Sequence, residues 1–170
     1  ITENNDKSLK YLSKYLGIKF KFIKFRSGTK VFDWIIPQKW KLIQAYVKDR
    51  TGKKIIDVKN HNLHILQYSV SKKGWVSKKK LLENIYTDIK KNAIPYVASY
   101  YKKRWGFCIS KNHLNKLKGK KFYVNINSKF RNDYLNIAET LIKGKSKKEI
   151  FFSTYICHPS MANDNISSVS

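Results

Sequence analysis

CHPSMANDN, residues 157–165, follows the apolar run EIFFSTYI (149–156) and sets a His, a Cys, an Asp and two Asn within nine positions. Two readings compete for it: an Asn/Asp-rich turn carrying a surface His, or part of a metal site. A neutral imidazole is a common zinc ligand, and a carboxylate can bridge two ions about 3.5–4 Å apart. In a loop leaving a strand, His158 and Asp164 can both face the carboxyl end of a sheet, where α/β folds place their ligands. Local chemistry alone favours the turn, so the rest of the chain has to decide.

The chain of 170 residues is 42% hydrophobic and 14% aromatic, enough for a packed core in one ordinary domain, or in one small domain and part of another. No run of about 18 apolar residues occurs, and ITENNDKSLK lacks the sections of a secretory signal, so no membrane partner and a cytoplasmic location are expected. The first residue is not Met and the last four are SSVS, which reads as a piece of a longer protein. Cys108 and Cys157 are far apart in a chain large enough to fold without staples, which fits a reducing compartment.

The formal charge is +25, but of 36 basic residues only Arg26, Arg50, Arg104 and Arg131 are arginines. Phosphate and guanine recognition favour the planar arginine fork. The lysines are scattered along the chain among many Asn and Ile, which reads as a solvated surface of biased composition and disfavours nucleic acid as partner.

Hydrophobic spacing gives the elements. Ser8 to Leu16 reads as a helix ended by Gly17, and IKFKFIKF (18–25) as a strand with a phase change at Ile23 that suggests a bulge. VFDWIIP (31–37), WKLIQAYVKD (40–49), KKIIDV (53–58) and LHILQYSV (63–70) read as strands, with a turn at Arg50-Thr51-Gly52. Ser77 to Ile89 has helical spacing, while IPYVASYYKKRWGFCI (94–109), KFYVNINS (121–128), YLNIAETLI (134–142) and EIFFSTYI return to strands.

ICHPSMANDNIS resembles the run CHPS-x-ANDN-x-SG of a bacterial aminopeptidase-like family, related to the zinc aminopeptidases of metallopeptidase family 28 and associated with polysaccharide biosynthesis. SGTKVFDWIIPQKW (27–40), AYVKD (45–49), NLHILQYS (62–69), IPYVASYYKKRWGFC (94–108) and VNINS (124–128) are similar to further runs of that family in the same order. The resemblance implies an α/β fold: the edge of a phosphorylase/hydrolase-like zinc aminopeptidase domain (1–30 and 131–170) interrupted by an inserted, mainly β module (31–130). It makes His158 a terminal ligand and Asp164 the bridge between two zinc ions, and it implies a cis peptide at Asp164-Asn165. Two positions depart from the pattern: Ser160 stands where an Asp usually orients the ligand His, and Ser168 where Gly is usual.

The expected function is that of an N-terminal fragment of a zinc-dependent aminopeptidase-like hydrolase, acting on a peptide or amide through a metal-activated water. The general base and the remaining ligands are expected after Ser170, so no catalytic residue is assigned and the fragment alone should be inactive. Tyr100 and Trp105 are the candidate substrate-contacting aromatics, in a set with Trp34, Trp40 and Tyr101 that otherwise reads as core. Cys157 reads as a small buried residue, and His61, His64 and His113 as structural or solvated. The rival reading is a binding module that holds a glycan or other polyanion on its aromatic, basic surface.

Overall fold

The computed structural model describes residues 2–157. They fall into two compact units, one of 2–39 with 131–157 and one of Trp40–Phe130.

The first unit opens with α1 (Glu3–Leu16). The helix starts five residues before Ser8 because Thr2 and Asn5 form a reciprocal cap: the Asn5 N–H donates to Thr2 Oγ1 at 3.4 Å, and the Thr2 N–H to Asn5 Oδ1 at 3.1 Å. It stops at Gly17, whose φ of 65° lies in the left-handed region that terminates helices. Next, β1 (Lys21–Arg26) pairs antiparallel with β10 (Tyr134–Glu139), Lys21 opposite Glu139 and Arg26 opposite Tyr134. The register runs without a shift, so the expected bulge is absent. Ile23 and Phe25 form the half-buried phase, and the strand simply starts later than the alternation of residues 18–22 suggested. VFDWIIP is not one strand: β2 (Lys30–Val31) and β3 (Trp34–Ile35) form a tight hairpin, with Phe32 at φ 53° in its turn.

The second unit is built on an antiparallel sheet of four strands in the order β5 (Lys54–Asp57), β4 (Lys39–Lys48), β9 (Lys121–Arg131), β6 (Lys72–Ser77). Along β4 the buried phase changes from Trp40 and Leu42 to Ala45 and Val47, and its register against β5 shifts between Val47 and Lys48. One sheet face carries Trp40, Ala45, Val47, Ile56, Val76, Phe122, Val124 and Ile126 into a core completed by Ile65, Tyr68, Leu81, Phe107 and Ile109.

Three expected elements are corrected in this unit. The helix expected over 77–89 is only α2 (Lys78–Leu82), capped by Ser77. Asn84 O then accepts the Phe107 N–H at 2.9 Å, which pulls the chain into β7 (Ile85–Tyr86), a short parallel pair with β8 (Phe107–Cys108). LHILQYSV is buried but is not a strand, because Tyr68 at φ 63° breaks the extended backbone. Its backbone is satisfied instead by the segment that follows Pro95: Leu66 N–H donates to Gly106 O, Gln67 N–H to Val97 O and Val70 N–H to Arg104 O. The strand expected over 94–109 is correspondingly reduced to β8 and a bridge between Gln67 and Ala98.

In the first unit, EIFFSTYI forms no strand, and Ile150, Phe151 and Phe152 are exposed. Among the described residues no helix is long and apolar enough to cross a membrane.

Candidate functional site

The segment leading into CHPSMANDN is held at the start of α1. Asn5, already fixed by the Thr2 cap, donates its Nδ2 to the Ile156 carbonyl at 2.8 Å. Cys157 is exposed, not buried as the sequence suggested, since the run before it lies on no sheet. His158, Asp164 and the Asp164-Asn165 peptide lie outside the described residues. Among the described residues no group of three or more His, Cys, Asp or Glu is arranged to hold a metal ion.

Tyr100 and Trp105 lie on the segment 97–106, which crosses the buried stretch 66–70. Tyr68 stacks on Trp40 at 5.9 Å between ring centroids and meets Tyr100 at 4.7 Å, while Trp40 Nε1 donates to Ser69 O at 3.0 Å. Tyr100 is the open end of this aromatic column, about half exposed, whereas Trp105 packs against the core. Burial pushes the Tyr68 hydroxyl pKa upward, with Tyr100 and Tyr101 adding to the shift, so this ring stays neutral.

A second constellation was not legible as such. His61 and His64 lie in a turn, not on opposite faces of a strand, and α3 (Lys111–Asn115) brings His113 to them. Ring centroids are 5.6 Å apart for His61 and His64 and 5.7 Å for His64 and His113. Each ring commits one nitrogen to backbone: His64 Nδ1 lies 2.8 Å from Cys108 O, His113 Nε2 lies 2.7 Å from Ile55 O, and His61 Nδ1 accepts the Leu63 N–H at 3.1 Å. The two carbonyls can only accept, so they fix the ring protons at His64 Nδ1 and His113 Nε2. Spacing alone had no means of joining residue 113 to residues 61–64.

Burial lowers the His64 pKa, and His113 and His61 add to the effect, outweighing the Cys108 carbonyl and Asp57, which act in the other direction. The folded state therefore keeps His64 neutral while the unfolded chain takes a proton near its ordinary value, about 6.5. This contribution to stability is complete above that pH and is lost as pH falls from about 6.5 towards the folded value. Thermal melts should thus show a midpoint that is flat near neutrality and declines from pH 6.5 to 5. His64→Asn, which keeps a donor for Cys108 O, should flatten that decline, and an unchanged slope would remove His64 as its source. The Cys108 thiol, pushed up to about 12 by burial, is inert as a nucleophile at neutral pH.

With this geometry in place, comparison with known proteins gives the class first. Residues 39–129, more than half of the chain, match the family described as "Domain of unknown function (DUF2172)", and the chain belongs to that family. The matched span runs along the compact unit Trp40–Phe130. The chain is also 38% identical over 164 residues to a Clostridium acetobutylicum protein named "Putative polysaccharide biosynthesis protein with aminopeptidase-like domain", covering 96% of this chain and 37% of that one. It is similar to the crystal structure of a "putative peptidase" from the same organism, with a TM-score of 0.91 and 37% identity, covering 99% of this chain and 40% of that one. The chain spans two fifths or less of the length of these relatives. Its mixed α/β architecture of several small sheets is consistent with a peptidase-like fold.

Proposed function

We propose that this chain forms the amino-terminal part of a zinc-dependent aminopeptidase-like hydrolase, with the unit Trp40–Phe130 inserted into the peptidase domain. The observation that carries the reading is the 38% identity, across 96% of the chain, to a protein named for an aminopeptidase-like domain. CHPSMANDN supplies the donor chemistry: an imidazole at His158 and a carboxylate at Asp164 suit zinc. The Asn5 bond to Ile156 supports it from the described side, fixing the backbone two residues before His158.

In this reading His158 is a terminal ligand and Asp164 bridges two ions. A zinc pair held there would supply Lewis-acid polarisation of an amide carbonyl and activation of a water. The substrate is a peptide or amide with a free amino terminus. Of the two candidate substrate-contacting aromatics, Tyr100 keeps an open ring, whereas that of Trp105 is packed on the core.

Zinc calorimetry on a protein of the relatives' full length tests the reading. The expected result is binding of about two zinc ions per chain, with loss of at least one site in His158→Ala and of both in Asp164→Ala. Hydrolysis of an aminoacyl p-nitroanilide should fall with the metal. If the unaltered protein binds no zinc and neither substitution changes hydrolysis, the reading is wrong.

A further inference from the structure

The sheet of the second unit has a face that the core does not use. On β9, Phe122, Val124 and Ile126 enter the core, so Lys121, Tyr123 and Asn125 face the other way. On β6, Val76 faces the core and Trp75 stands opposite Tyr123, their rings in a T-shaped contact at 5.6 Å. That contact fixes the plane of the indole, yet 55% of Trp75 remains exposed. The row continues through Asn125, whose Nδ2 donates to Tyr46 Oη at 2.9 Å, to a Tyr46 ring flanked by Lys54 Nζ at 4.6 Å and Lys48 Nζ at 5.2 Å.

Beside Trp75 lies a concavity of about 320 Å³ lined by Arg50, Trp75 and Lys121. Arg50 is carried by a tied turn: Asp49 Oδ1 accepts from the Thr51 N–H at 2.9 Å, the Thr51 hydroxyl at 2.7 Å and the Lys53 N–H at 3.0 Å. Asp49 is thereby spent on the turn, and no acidic side chain lines the concavity. Among the described residues neither Arg50 nor Lys121 makes an ion pair, whereas Lys21, Lys39, Lys54, Lys80 and Arg131 all do.

We propose that this concavity binds a carboxylated sugar unit of an anionic saccharide. A pyranose presents an apolar C–H face that stacks on an indole, and a carboxylate takes the planar fork of an arginine in two parallel hydrogen bonds. Lys121 supplies a second positive charge, and the volume is at the small end of the range for ligand sites, about 300–1,000 Å³. Single-stranded nucleic acid fits less well, because it needs a groove that tracks several phosphates and a series of stacking rings. Here one ring lines the concavity. The site does not depend on the metal-hydrolase reading.

The test titrates the whole chain, by tryptophan fluorescence and calorimetry, with trigalacturonate, its fully methyl-esterified form and a short oligothymidylate. Trigalacturonate should bind, the neutral ester should not, and EDTA should change neither result. Arg50→Ala and Trp75→Ala, both at exposed positions, should each weaken binding at least about tenfold. Arg50→Lys should restore part of the loss, and added salt should weaken binding throughout. The proposal is overturned if trigalacturonate fails to bind, if the ester binds as well, if the two alanine variants match the unaltered chain, or if oligothymidylate binds more tightly with the same dependence on Arg50 and Trp75.

Discussion

Phe107→Ala is expected to cost about 3–5 kcal/mol, towards the upper end of that range for a buried aromatic. Phe107 has no exposed surface and belongs to the core with Leu81, Ile109 and Phe122. The cost of such a truncation depends on how far the surroundings can collapse into the space left. Here the walls are tied: Phe107 N–H donates to Asn84 O at 2.9 Å, Ile109 N–H to Tyr86 O at 3.0 Å, and Leu66 N–H to Gly106 O at 3.1 Å. Gly106 is equally confined, since a Cβ there would lie 2.8 Å from Asn84 O. At roughly 4–8 °C per kcal/mol for a unit of this size, the thermal midpoint should fall by at least about 12 °C. Phe107→Leu, which keeps most of the volume, should cost less than half as much. Equal effects of the two would mean that the ring's shape, not its volume, organises the crossing of 66–70 with 97–106.

That crossing also shows where the sequence stops being legible. β9 stands out from alternation, because it lies in a ladder where period 2 separates Phe122, Val124 and Ile126 from Tyr123 and Asn125. LHILQYSV and the run after Pro95 show the same apolar density, yet the first is a buried loop and the second a partly exposed one, and each satisfies the other's backbone. Apolar content does not encode which backbone partners will be found. EIFFSTYI shows the converse, an apolar run without a ladder among the described residues. Helix α1 was legible in its body but not in its start, because the Thr2 and Asn5 cap consists of two polar residues that precede any periodic signal.

The candidate sites divide in a similar way. His158 and Asp164 stood out only through the resemblance of several separated runs, since a His and an Asp six positions apart specify little. The Arg50, Trp75 and Lys121 concavity was invisible, because sequence cannot show that a turn after β4, the middle of β6 and the start of β9 converge. Scattered lysines read as composition. What sets Arg50 and Lys121 apart is that they line one concavity with Trp75, which only geometry reveals.

Lys39→Met should produce the other large loss, about 3 kcal/mol, and it is a test of charge within the first unit. Lys39 is only 4% exposed in its side chain, with Nζ 2.7 Å from Asp6 Oδ2 and 3.3 Å from Asp133 Oδ2. Asp6 Oδ1 in turn accepts from Asn136 Nδ2 at 2.7 Å, so one carboxylate on α1 is tied both to Lys39 and to β10. Methionine retains the apolar stem of the lysine and removes the charge, leaving two carboxylates without their shared cation. The loss belongs at the lower end of the range for a broken buried pair. Both acids keep about a quarter of their surface, and Arg131 Nη2 still reaches Asp133 at 2.8 Å. The pH dependence separates charge from packing. Burial pushes the Asp133 pKa up, but the Tyr134 N–H, Lys39 and Arg131 together hold it below the usual carboxylate value. A depressed carboxylate contributes stability that is present above its unfolded pKa, about 3.9, and is lost as pH falls through the folded value. The deficit of Lys39→Met should therefore be full at pH 7 and shrink as Asp133 protonates below about pH 4. Amide exchange along β1 and β10, followed with thermal melts from pH 7 to 2.5, measures it. A deficit that stays constant over that range would assign the loss to packing of the side chain instead of to the ion pairs.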